Sequence, residues 1–250
     1  MIKSLALEFW KIRRRKVWAI VAALLFVQVL WSLWGVETMD AHELSQGWVY
    51  FLYQFPILNA IMMPVIAAVV ASRLCDIEHK GQMLKLLNTL MPAGRLFAAK
   101  FLCGALYMLA VALLQIMVMV IAGLAFGFEG SPPLDKLLYY LLFTTTVNIT
   151  ILLLQQVLSF LIINQMIPLA VGAIGSFVGL FILYFPQNLG RFILWGYYGV
   201  LMFVSMDWDR ATRITNFHYV PVDWSGFGVL AVAFCIIYIL GRALFIRKEM

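Results

Sequence analysis

The sequence predicts an all-α membrane protein with six transmembrane helices, and three observations point there. Of its 250 residues, 64% are hydrophobic and 12% charged, about half the charged share of a soluble domain. Uncharged stretches exceed the ~18 residues that mark a span. The basic residues gather in the segments that alternate spans would leave on one side. This distribution, rather than a nucleic-acid partner, accounts for the net charge of +6.

Residues 1–16, MIKSLALEFWKIRRRK, bring Ile2, Leu5, Phe9 and Ile12 near one helical face, with Lys3, Lys11 and Arg14 largely elsewhere. That pattern fits an interfacial amphipathic helix. The apolar run beyond Lys16 is longer than a signal h-region and has no small-x-small cleavage site, so it reads as a permanent first span, 17–36. A second span, 48–73, contains Pro56 and Pro64, which membrane helices tolerate. The third covers 98–127. No charge interrupts Leu137 to Gly190, a length that fits two spans, 137–163 and 167–185, with the turn at NQMIP, where Pro168 can open a helix.

Residues 186–225 form the extracellular segment. Its apolar piece 192–206 is only 15 residues long and reads as a re-entrant or interfacial helical hairpin, a seventh span being the alternative. The last span is 226–246. With six spans and both termini cytoplasmic, 14 Lys and Arg lie inside, and Lys136, Arg191, Arg210 and Arg213 outside. The positive-inside rule favours this orientation, and a seventh span would spoil it.

Between spans two and three lies a polar cytoplasmic loop, 75–96. Taken as a helix, Asp76–Met91 places Met83, Leu84, Leu87, Leu90 and Met91 on one side and Glu78, Gln82, Lys85 and Thr89 on the other. Asp76 and Glu78 suit the positive end of its dipole. Pro92 and Gly94 end it, and Arg95 and Lys100 are expected to anchor the next helix at the head groups. From pattern alone, a docking surface for another protein and a plain linker both fit.

The stretch DIEHKGQMLKLLNTLMPAGRLFAAK resembles the first cytoplasmic loop of ABC-2-type transporter permeases. The matching residues are Asp76, Glu78, Leu86, Leu87, Thr89, Leu90, Pro92, Gly94, Arg95 and Lys100. Met91 is an insertion before Pro92, and Gly94 replaces a common Ser. The arrangement of spans also resembles that family. In length and in the Glu78-His79-Lys80 opening, the chain is most similar to permeases of lantibiotic and bacitracin immunity systems. The resemblance implies half of a pore in the bacterial cell membrane, paired with a second copy or a sister permease and with two ABC ATPase subunits. Asp76, Glu78, Leu84, Leu87, Leu90, Pro92 and Arg95 would couple the ATPase to the spans. The substrate would be an antimicrobial peptide such as a lantibiotic, with a drug, a glycolipid or another lipid-like molecule as the alternative; outside the family, a channel or a structural membrane protein is the alternative reading.

No G-x-x-x-x-G-K-[ST], H-E-x-x-H or G-x-S-x-G occurs, so the chain reads as a non-enzymatic subunit without a cofactor, ATP and Mg belonging to the partner ATPase. The three cysteines and three histidines have no ligand spacing, and no metal site is expected. Within span four, Thr144, Asn148, Gln155 and Ser159 fall within about 60° of one another. Two roles fit them, hydrogen bonding between helices and contact with substrate. Trp195, Tyr197 and Tyr198 are further candidates for the substrate path, at the outer leaflet. Gly172, Gly175 and Gly179 imply close helix packing within the chain. The carboxylates Glu37, Asp40, Glu43, Glu129, Asp135, Asp207, Asp209 and Asp223 lie in the expected outer segments, where ordinary charge asymmetry and attraction of a cationic substrate both explain them.

Overall fold

A computed structural model describes residues 2–14, 16–79 and 92–249. The stretch 80–91, with Leu84, Leu87 and Leu90 of the expected coupling helix, lies outside the described residues, as do the side chains of 77–79, Glu78 among them.

Helix α1 (Ile2–Arg14) meets α2 (Val17–Leu33) at Lys16, whose backbone is left-handed (φ 51°). A short α3 (Ala41–Ser45) precedes α4 (Gly47–His79). Then come α5 (Ala93–Ala125), α6 (Leu134–Leu161) and α7 (Met166–Ile182). Short helices α8 (Gln187–Gly190) and α9 (Tyr197–Val200) lead to strands β1 (Val204–Trp208) and β2 (Thr215–Tyr219), and α10 (Trp224–Glu249) follows. Five helical stretches are long and apolar enough to cross a membrane: Val17–Thr38, Gly47–Asp76, Ala93–Ala125, Leu134–Leu161 and Trp224–Lys248. Helix α7 is apolar too but has 17 residues, about 26 Å at 1.5 Å each.

Helix α4 forms the centre. Phe51, Phe55, Met63, Ala67, Val70 and Leu74 are all buried along it, packed by α2, α5, α6 and α7. Pro64 has no N–H for the carbonyl four residues back. Small residues on α7 let its backbone close on that region. A Cβ on Gly172 would stand 2.5 Å from Ala68 Cβ, and one on Gly179 3.4 Å from Ala60 O. Gly175 abuts the Trp195 indole. The glycine stripe therefore packs within the chain.

The chain departs from an all-α fold between α7 and α10. The expected helical hairpin is a 3₁₀ turn (Leu194–Gly196) running into one turn of α9, followed by an antiparallel β-hairpin with Val204 opposite Tyr219 and Trp208 opposite Thr215. The physical reason is local. Gly196 and Gly199 weaken a helix, and VSMDW and TNFHY are rich in β-branched and aromatic residues around a polar turn. Asp209 fixes that turn, accepting from Ala211 N at 2.8 Å and Thr212 Oγ1 at 2.9 Å. Phe217 docks the hairpin on α4, its ring 5.4 Å from that of Tyr50 and 5.3 Å from that of Tyr53.

Candidate functional site

The successive apolar helices reverse direction, so the end of α4, the start of α5, the end of α6 and the end of α10 meet at one end of the bundle. The opposite end carries the β-hairpin.

At the first end, a buried ion pair joins three helices. Lys100 Nζ donates to Glu8 Oε2 at 2.7 Å and to Leu74 O at 2.7 Å. Lys100 is fully buried and Glu8 2% exposed. Lys11 Nζ reaches Glu8 Oε1 at 2.8 Å from the rim. Lys100 therefore does not extend to lipid head groups as its position at the start of a span predicts. It points inward because Glu8 enters the packed face of α1 beside Ile12, and a buried cation needs a partner. The contact clamps α1 across the two helices that bracket residues 80–91. Around it, Gln156 Nε2 donates to Phe97 O at 3.1 Å, and Lys248 Nζ caps α6 through Phe160 O and Leu161 O, both at 3.0 Å. Of the other predicted coupling residues, Arg95 and Pro92 are exposed and Asp76 is half-buried.

Deeper in the bundle is a second cluster that sequence reasoning did not single out. Gln28 of α2, Asn59 of α4, Gln115 of α5 and Tyr140 of α6 are all at most 1% exposed. Gln28 Nε2 donates to Asn59 Oδ1 (2.9 Å), and Asn59 Nδ2 donates to Tyr140 Oη (2.9 Å). Tyr140 Oη donates to Gln115 Oε1 (2.7 Å). Gln115 Nε2 closes the ring on Gln28 Oε1 (3.0 Å) and Asn59 Oδ1 (2.8 Å). Every member meets at least two others, which is how polar groups survive where water is absent.

The polar stripe of α6 is buried along its length: Thr144 is 5% exposed, and Asn148, Gln155 and Ser159 are fully covered. Asn148 Oδ1 accepts from Tyr198 Oη at 2.6 Å. With its amide oriented to satisfy both groups, Gln155 donates to Pro168 O (3.0 Å) and accepts from Gly172 N (3.2 Å). Gln165 Nε2 donates to Ser159 O at 2.9 Å. Thr144 borders a cavity of about 20 Å³ shared with Pro56 and Tyr198, room for about one water. Asn148 Nδ2 has no hydrogen-bond partner among the described residues.

Tyr197 and Tyr198, expected as rings displayed at the outer leaflet, are only 2% and 4% exposed. Tyr197 Oη donates to Arg191 O at 2.9 Å, and Arg191 pairs with Asp223 at 2.6 Å. Burial raises the Tyr198 phenol well above its ordinary value, so it stays a neutral donor to Asn148. Trp195 is half-buried against α7.

A multi-pass helical membrane protein with polar contacts buried between its helices is the class these features define. Residues 4–179 match the family model described as ABC-2 family transporter protein, and the chain belongs to that family. It is therefore a permease of an ABC transporter, the transmembrane kind of subunit that associates with ABC ATPase subunits. Comparison with curated proteins gives no match.

Proposed function

We propose that the chain is one half of a six-span export pore in the bacterial cell membrane, with the hairpin end outside and both termini in the cytoplasm. It pairs with a second copy or a sister permease and is driven by two ATPases. The loop 75–96 receives their motion through Asp76, Glu78, Leu84, Leu87, Leu90, Pro92 and Arg95. The observation that carries this reading is the Glu8–Lys100–Leu74 contact. It welds α1 to both helices flanking the loop, so force arriving there would move three helices together. The six-span count is supported by the five long apolar helices together with α7.

The substrate on this reading is an antimicrobial peptide of the lantibiotic kind, expelled for self-immunity. Support comes from the surplus of carboxylates over cations at the hairpin end, which favours a cationic molecule. Thr144, Asn148, Gln155, Ser159, Trp195, Tyr197 and Tyr198 are proposed along its path. Asn148 Nδ2 and Trp195 Nε1, without hydrogen-bond partners among the described residues, are groups there with a hydrogen bond left to offer. The test is isolation of the permease with a P-loop ATPase. Glu78→Ala and Leu87→Asp should each weaken that complex while the spans stay folded. If both variants keep the ATPase and its coupled hydrolysis, the loop is not the lever. Asn148→Leu should change peptide resistance at normal expression, and unchanged resistance would remove α6 from the path.

A further inference from the structure

At the hairpin end, an open groove of about 560 Å³ is lined by Leu30, Trp31, Trp34, Gly35, Tyr50 and Gln54. That volume lies within the range of small-molecule sites. Trp31 and Trp34 are 57% and 87% exposed, and Leu30 beside them is exposed as well. Gln54 Oε1 is buried and has no hydrogen-bond partner among the described residues. A buried acceptor without a donor is costly, and this one belongs to a side chain that lines the groove. No lysine or arginine occurs from Val17 to Ser72, whereas Glu37, Asp40 and Glu43 lie in the connection above the groove.

From this combination we infer that the groove binds an amphiphilic organic cation, an ammonium or guanidinium group carried on an apolar body. The faces of two indoles and a phenol attract a cation, the carboxylates raise its local concentration, and Gln54 Oε1 accepts an N–H. An anionic amphiphile would meet carboxylates and the negative faces of the rings with no lining cation to receive it. A neutral acyl chain would leave Gln54 unsatisfied. As a binding site the groove stands on its own geometry. As a station for exported substrate it rests on the export reading above.

The test uses the permease alone in uncharged maltoside micelles, with binding of dodecylammonium, dodecanol and dodecyl sulfate measured by equilibrium dialysis. Dodecylammonium should bind at least about tenfold tighter than either of the others. Trp31→Leu combined with Trp34→Leu should erase that preference. Gln54→Leu, checked for an unchanged melting temperature, should weaken dodecylammonium several-fold and dodecanol, whose neutral O–H makes the weaker bond, by less. Equal binding of the three probes would overturn the proposal and leave a lipid-filled cleft. Unchanged affinity in the tryptophan variant would also overturn it. So would a tryptophan variant that alters only the assembly size in light scattering, since the groove would then belong to a contact between copies. No ATPase enters this experiment, so its failure leaves the coupling assignment intact, and failure of the coupling assignment leaves the groove intact.

Discussion

Glu8 and Lys100 are 92 residues apart in sequence and 2.7 Å apart in space, both buried. Neither helix carries the pair cheaply. Desolvating two charges costs several kcal/mol per ion, and their attraction returns it only with good geometry and extra hydrogen bonds. Lys100 has that extra bond in Leu74 O. Removing one partner should be far worse than removing both. Glu8→Gln or Lys100→Met alone is expected to cost about 3–5 kcal/mol. The double variant should cost clearly less than the sum. Equilibrium unfolding in mixed micelles measures all three, and additive costs would mean that the contact is not a pair. The Lys11 contact is partly exposed, so Lys11→Ala should change little.

The four-residue ring of Gln28, Asn59, Gln115 and Tyr140 gives a graded expectation. Gln115→Leu removes two donated bonds and one accepted bond at once, leaving buried polar groups unsatisfied. About 1–3 kcal/mol should be lost. Tyr140→Phe removes two bonds, one accepted from Asn59 Nδ2 and one donated to Gln115 Oε1, and at the ~0.6 kcal/mol average for such bonds inside membranes should cost about 1 kcal/mol. The same unfolding assay ranks them, and a reversed order would mean the ring relaxes around Gln115.

Composition and hydropathy carry most of the helical architecture because a bilayer permits few solutions: a run long enough to span must satisfy its own backbone. Side-chain pairing is another matter. Glu8 had a readable signal, standing three residues after Leu5 and four before Ile12, on the face that Ile12 buries. Lys100 offered less, since a basic residue near a span end ordinarily snorkels. Gln28, Asn59, Gln115 and Tyr140 come from four different helices, and no periodicity within one helix says which polar groups of different helices will meet. The stripe of Thr144, Asn148, Gln155 and Ser159 was legible as a stripe because one helix holds it. Its partners Tyr198 and Pro168 were not, because they arrive from other elements. The β-hairpin was hidden by the apolar run 192–206, whose hydropathy passes for a short helix although alternation takes over at Val204.

Tyr198 and Asn148 tie the hairpin-end segment to α6. Tyr198→Phe keeps the ring and removes the bond, leaving Asn148 Oδ1 buried without its donor. The expected loss is about 1–3 kcal/mol, felt first as faster amide hydrogen exchange in Tyr197–Val200 and Val204–Trp208. Exchange in α4 should not change. Uniform acceleration throughout the bundle would mean that the bond holds the whole fold rather than its cap.

The same cap should respond to acid in one direction. Partial burial pushes the Asp223 carboxyl up, but bonds from Ser225 Oγ, Gly226 N and Arg191 outweigh it and hold the group below its ordinary value. A carboxyl lowered by folding contributes stability above its unfolded value, about 4, and loses it as pH falls through the folded value. Exchange protection of Arg191 through Val200 should therefore be level from neutrality to about pH 5 and should decline below about 4. Asp223→Asn should start from lower protection and remove much of that decline. Asp209 is also held low, mainly by the Ala211 N–H and then by Thr212. Its group is exposed at the hairpin turn, and Asp209→Asn should alter only the turn. An acid response in Arg191–Val200 that survives Asp223→Asn unchanged would shift its origin away from the Arg191 pair.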